Sequence, residues 1–199
     1  MISYFLNTFI KFFFILTPFF VLSTFLSMTS DFEESARKKT ALKVTISTIA
    51  ASMVIYFIGN QIFYLFGITI NSFRIGTGAL LFLSAYSLVK GGEKVHLSEE
   101  EQDIAVVPLS IPVAIGPATT GTILVMGSEG NSILEKSVGL SALILAIIAM
   151  GAFLFMGSYI EKLFKKQGLI ILSKLTGLIV AAISAQMIMT GIMEFIKTK

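Results

Sequence analysis

The chain of 199 residues contains no cysteine and a single histidine, and only 14% of it is charged. Without cysteine there are no disulfides and no thiolate metal sites, and the redox compartment cannot be read from this feature. His96 stands in a polar stretch with no partner at metal-ligand spacing, which makes it a solvated linker residue rather than a ligand. Aspartate and glutamate are missing from the interior of every long apolar run, which excludes a buried carboxylate relay and an intramembrane aspartyl protease. A membrane serine protease would lack its base, since the one histidine lies in the linker. No enzyme activity, cofactor or metal is expected. The net charge of +3 is modest, and the basic residues sit in short breaks between apolar runs, so topology explains them better than nucleic acid.

What fills the chain is apolar. Hydrophobic residues make up 55% of it and the mean hydropathy is +0.87, whereas soluble domains carry roughly 25% charged residues. Apolar runs cover about residues 4–28, 42–66, 73–89, 104–126, 137–160 and 169–196. Each approaches or exceeds the roughly 20 helical residues that cross a bilayer. Because the runs are continuous rather than alternating, they predict helices and not a barrel. The expected fold is all-α: a polytopic membrane protein with six transmembrane helices in one domain, residues 1–199. The first run has neither a basic leader nor a small-residue cleavage pattern, and is read as an uncleaved helix.

Polar residues within these runs need individual readings. Lys11 is either a functional charge or a side chain snorkelling to the near interface, and its place in the outer part of a long helix favours snorkelling. Gly59, Asn60 and Gln61 favour termination of the second span at the interface over a polar cavity wall. Gly76 and Gly78 suit close helix packing. Arg74 and Lys174, each just upstream of a Thr-Gly pair, are candidate coupling or structural charges, with interfacial anchoring the preferred role.

Six spans place both termini on one side. The breaks after spans one, three and five hold Arg37, Lys38, Lys39, Lys90, Lys94, Lys162, Lys165 and Lys166, against little beyond Lys136, Lys197, Lys199 and the span-edge Arg74 opposite. The positive-inside rule makes the first set cytoplasmic and both termini external, in an inner (cytoplasmic) membrane.

Pro18 and Pro117 lie 99 positions apart, and Thr77 and Gly78 recur at the same offset as Thr176 and Gly177. This spacing predicts two repeats, about residues 1–91 and 104–199, joined by a polar linker at about 90–103. Three spans per repeat is an odd number, so the repeats are inverted and Pro18 and Pro117 become equivalent about an axis in the membrane plane. Helices 1 and 4 are then proline-broken. A proline leaves the carbonyl a turn earlier unpaired, here those of Phe14 and Val113, which is costly in hydrocarbon. Hydroxyls of Thr17, Ser23, Thr24, Thr119, Thr120 and Thr122 lie nearby. Unwound helix ends of opposite partial charge suit a zwitterion, and the glycine and alanine residues of 114–118 leave room for a small one. The candidate binding set is Thr17, Pro18, Ser23, Thr24, Gly116, Pro117, Ala118, Thr119 and Thr120. The plainer alternative is a pair of kinks with hydroxyls bonded back to the backbone. With Gly116 and three threonines against Phe19 and Phe20, the second copy is expected to carry more of the substrate contact.

The Pro-Phe-rich first helix, Arg74-Ile75-Gly76-Thr77-Gly78-Ala79-Leu80-Leu81, Val106-Val107-Pro108-Leu109-Ser110-Ile111-Pro112 leading to Gly116-Pro117, and residues 176–188 together resemble the MarC family over nearly the whole chain. That family includes small neutral amino acid transporters and is grouped with LysE-type exporters. It usually reads Asn-Pro or Asp-Pro in the first helix, then a glycine and a second proline, and Ala-Gly-Pro-Gly in the fourth. Here Thr17, Phe20, Ser23, Ile115 and Ala118 take five of those places. The resemblance implies a secondary transporter or exporter of glycine, alanine or serine, with protons as a candidate coupling ion. A channel or facilitator for another small polar solute is the alternative. Direction of transport and homo-oligomerisation stay open.

Overall fold

Pro18 ends one helix and starts the next. In the computed structural model, which describes residues 1–91, 114–129 and 132–197, α1 (Ile2–Ile15) stops short of it and α2 (Pro18–Met28) begins on it. Between them Thr17 takes a left-handed backbone, φ 47° and ψ 55°. Its N–H turns back to the Phe14 carbonyl at 3.0 Å, so the carbonyl expected to be orphaned is satisfied by a tightened last turn. Proline at the first helical position loses nothing, because that N–H has no partner within a helix anyway. The first span is therefore reset at Thr17 rather than merely kinked.

The other elements follow from local signals. Helix α3 (Glu34–Phe66) starts well before the apolar run, helped by the Glu34–Lys38 pair at 2.7 Å one turn apart. It runs on through Gly59 to Gln61, where termination was expected, and ends at Gly67, whose φ of 62° and following N–H bonds from Ile68 to Phe63 close the last turn. Helix α4 (Ile70–Lys90) opens on Thr69, whose hydroxyl accepts from the Ser72 N–H. Helix α5 (Pro117–Ser128) repeats the α2 start, with proline first and no side-chain cap. Ser132 caps α6 (Ile133–Phe155) through the Glu135 N–H. Helix α7 (Gly157–Lys197) contains one non-helical residue, Lys165 at φ 54° and ψ 169°. The basic break expected over residues 161–166 thus narrows to a single turning residue, with helix on both sides.

Among the described residues five helical stretches are long and apolar enough to cross a membrane, α1 with α2 counted as one. The fourth expected span is represented by α5. Its first part with Pro108 and Pro112, the Val113 carbonyl, and most of the linker, including Lys94 and His96, lie outside the described residues. The outer faces of the bundle present Leu42, Ile46, Phe57, Leu83, Ile148 and Leu178, all exposed. A continuous apolar exterior of this kind fits lipid. This is an all-helical polytopic membrane protein.

The most extensive packing joins α4 to α7, and it has the symmetry anticipated from the repeat. A side-chain carbon added at Gly78 would meet Ile188 Cγ1 at 2.7 Å and the Ser184 carbonyl oxygen at 3.2 Å. One added at Gly177 would meet Val89 at 2.9 Å and the Ala85 carbonyl at 3.0 Å. Gly177, Ser184 and Ile188 are the 99-residue images of Gly78, Ala85 and Val89. The two images run antiparallel, as repeats related by an in-plane twofold must; parallel repeats would leave these helices parallel. Glycines also bring α3 against α5, where a side-chain carbon added at Gly59 would meet the Leu124 carbonyl oxygen at 2.7 Å and one added at Gly127 would meet that of Tyr56.

Candidate functional site

Helices α1, α4, α5 and α7 enclose a cavity of about 450 Å³ at one end of the bundle. Tyr4, Thr8, Lys11 and Phe12 line it from α1, Arg74 from α4, Thr122, Val125, Met126 and Glu129 from α5, and Ile183, Gln186, Met187 and Thr190 from α7. These residues run along most of α1 and belong to the early part of α4 and the late parts of α5 and α7, so the cavity lies toward the face where the chain begins and ends. Deeper in the bundle, about one turn on along α1, α5 and α7 and two to three turns on from Arg74 along α4, Ile15, Leu81, Ala85, Ala118 and Val180 form a buried apolar cluster. Ile15 adjoins the first break and Ala118 the second. The two resets therefore converge on a common floor against the α4–α7 pair.

The charges of the cavity are arranged unequally. Arg74 Nη2 is ion-paired with Glu129 Oε1, and Arg74 Nη1 donates to Asn71 Oδ1 at 3.2 Å. The Arg74 side chain is only 13% exposed. This pair ties the first turn of α4 to the end of α5 at the cavity mouth. Lys11, in contrast, is exposed and makes no ion pair or hydrogen bond among the described residues. The hydroxyls largely bond back along their own helices, Thr122 to the Ala118 carbonyl at 2.9 Å and Thr190 to that of Gln186 at 2.8 Å.

The expected binding residues are distributed over several places. Pro18 is buried, and Thr17, Ser23 and Thr24 are half-buried; none of the four lines this cavity. Ala118 and Thr119 are buried. Pro117 and Thr120 face a separate, mostly apolar groove beside Gly76, Thr77 and Leu80 of α4. Gly116 caps α5 in an extended conformation. Arg74 belongs to the cavity wall, whereas Lys174 is exposed on the outside of α7, so the two charges treated alike in sequence have different surroundings. Lys11 borders the cavity. Tyr4, Thr8, Glu129 and Gln186 were not singled out from sequence; Glu129 lies 55 positions from Arg74, and nothing local announces the pairing.

At the opposite end of the bundle Arg37 Nη1 donates to Ser158 Oγ at 2.9 Å, and Nη2 to the Thr29 carbonyl at 2.8 Å. Lys38 Nζ sits 5.6 Å from the Phe155 ring centre. These contacts gather the end of α2, the start of α3, the end of α6 and the start of α7 on one face.

The family model described as MarC family integral membrane protein matches residues 2–196. The chain belongs to the MarC family. Its MarC relatives include the UPF0056 membrane protein YhcE of Escherichia coli, 30% identical over 92% of this chain and 89% of that protein. YvbG of Bacillus subtilis is 31% identical over 96% of this chain and 95% of its own length. A UPF0056 membrane protein of Methanocaldococcus jannaschii is 31% identical, covering 96% and 97%. No solved structure matches this MarC chain.

Proposed function

We propose that this MarC protein is a secondary transporter of small neutral amino acids of the glycine, alanine and serine type. The observation that carries this reading is the convergence of two proline-initiated helices, at equivalent repeat positions, on the floor of a cavity open at one end. Helices α2 and α5 each begin there with no side-chain cap and a positive helix end, the Phe20 N–H of α2 bonding back to the Thr17 carbonyl at 3.0 Å. Such ends stabilise a carboxylate, and the small residues Gly116 and Ala118 leave space for little more than an amino acid backbone.

The apolar floor favours alternating access over a channel, because Ile15, Leu81 and Val180 would interrupt a continuous aqueous path. In this reading the arginine and lysine cluster around Arg37, Lys38, Lys162 and Lys166 faces the cytoplasm, and the cavity and both termini face outside. The role is transport rather than catalysis. Purified protein in liposomes preloaded with unlabelled alanine should accumulate labelled alanine by counterflow, with saturation. Absence of flux across a full amino acid panel, from a folded preparation, contradicts the proposal; unsaturable flux without counterflow turns it into a facilitator.

A further inference from the structure

We infer that Lys11 is the carboxylate-binding cation of the α1–α4–α5–α7 cavity, a subsite above the helix breaks that engages substrate on entry. The inference rests on the transport reading and deepens it. Among the described residues three formal charges line the cavity: Lys11, Arg74 and Glu129. Arg74 and Glu129 neutralise one another, and Arg74 is further held by Asn71. One positive charge is left over, and it belongs to Lys11.

Position argues the same way. Lys11 stands about 13 Å along α1 from its first residue at about 1.5 Å per residue, one turn short of the apolar floor at Ile15. A side chain that only snorkelled would extend along the lipid face toward the near surface. Lys11 instead borders a cavity large enough for a small solute, beside Thr8 on its own helix and Gln186 and Thr190 across it. Phe12, Val125, Met126 and Ile183 make one part of the wall apolar, and beside such a wall an ammonium attracts an anion more strongly than in bulk water. A planar carboxylate can take an ammonium donor on one oxygen and, on the other, the Gln186 amide, which in this structure donates to Thr190 Oγ1 at 3.3 Å. The ligand class is therefore a small molecule with a free carboxylate. Deeper transfer would hand that carboxylate from Lys11 to the N-terminal ends of α2 and α5.

The test compares wild type with Lys11→Met and Lys11→Arg. Thermal stabilisation is measured with alanine, alaninamide and propionate, and counterflow with alanine. All three proteins must elute and melt as folded species, and Lys11→Arg keeps the charge should Lys11→Met fail to fold. The expected result is stabilisation of wild type and Lys11→Arg by alanine and propionate but not by alaninamide, with alanine affinity falling at least about tenfold in Lys11→Met. Alanine affinity equal to wild type in Lys11→Met, stabilisation by alaninamide as strong as by alanine, or no stabilisation by either carboxylate overturns the subsite. Lys11-dependent carboxylate binding without any counterflow keeps the subsite and overturns the transport reading, so the two failures are distinguishable.

Discussion

Thr17 holds a left-handed backbone, φ 47° and ψ 55°, which costs an L-residue roughly 1–2 kcal/mol and is particularly awkward for a β-branched one. Asparagine, the residue the family commonly places before this proline, adopts that conformation more readily. Thr17→Asn should therefore raise stability by about 1 kcal/mol, seen as a higher melting temperature in detergent; a lower one would mean that the threonine side chain holds the break in place. The Arg74–Glu129 pair makes a second prediction at this scale. Arg74→Glu and Glu129→Arg should each lower the melting temperature, and the double reversal should recover most of the loss, with a coupling of about 1 kcal/mol for this partly exposed pair. Additive losses would show that the pair contributes nothing. The residue scale was also the least readable in sequence. A lysine in an apolar run has the same sequence signature whether it faces lipid or a cavity, and Lys11 and Lys174 proved to differ in this respect. Glu129 looked like a loop residue because its partner is distant in the chain.

Elements were more legible, because proline and glycine restrict the backbone in ways independent of tertiary context. Pro18 interrupts its span as expected, and Pro18 and Pro117 each start a helix, while Gly59, read as a termination signal, serves instead to let α3 approach α5. The sequence signal is the same for both uses; only the neighbouring helix decides. The glycines separate cleanly by what a methyl group would meet. Gly127→Ala puts a carbon against the Tyr56 backbone carbonyl, which cannot rotate away, and should destabilise by several kcal/mol or block folding. Gly76→Ala meets nothing within 4 Å in the middle of a helix and should stabilise by about 0.5–1 kcal/mol. Thermal unfolding of the two variants in the same detergent checks both signs, and equal behaviour would mean that the α3–α5 approach is looser than described.

At the scale of the molecule the all-helical membrane architecture was legible, since long apolar runs are statements about many residues at once. The antiparallel seat of Gly78 and Gly177 on each other's helix turns the 99-residue offset into a twofold relation. The cavity was not legible, because it belongs to four helices and to the particular tilt that leaves space between them. Alternating access predicts that the described arrangement has a partner in which the roles of the repeats are exchanged. The natural absence of cysteine allows a direct test in a background that needs no prior substitution. Thr122, on the cavity wall, and Ser23 are 99-residue images of each other, each five positions past its proline. With Thr122→Cys and Ser23→Cys made singly, labelling by a membrane-impermeant thiol reagent is measured from each face of the membrane, with and without alanine. The account predicts that Thr122→Cys reacts from the face bearing the termini and Ser23→Cys from the opposite face, and that alanine shifts the two rates in opposite directions. Labelling of both from the same face, or rates that alanine leaves unchanged or moves together, would contradict an inverted-repeat transporter.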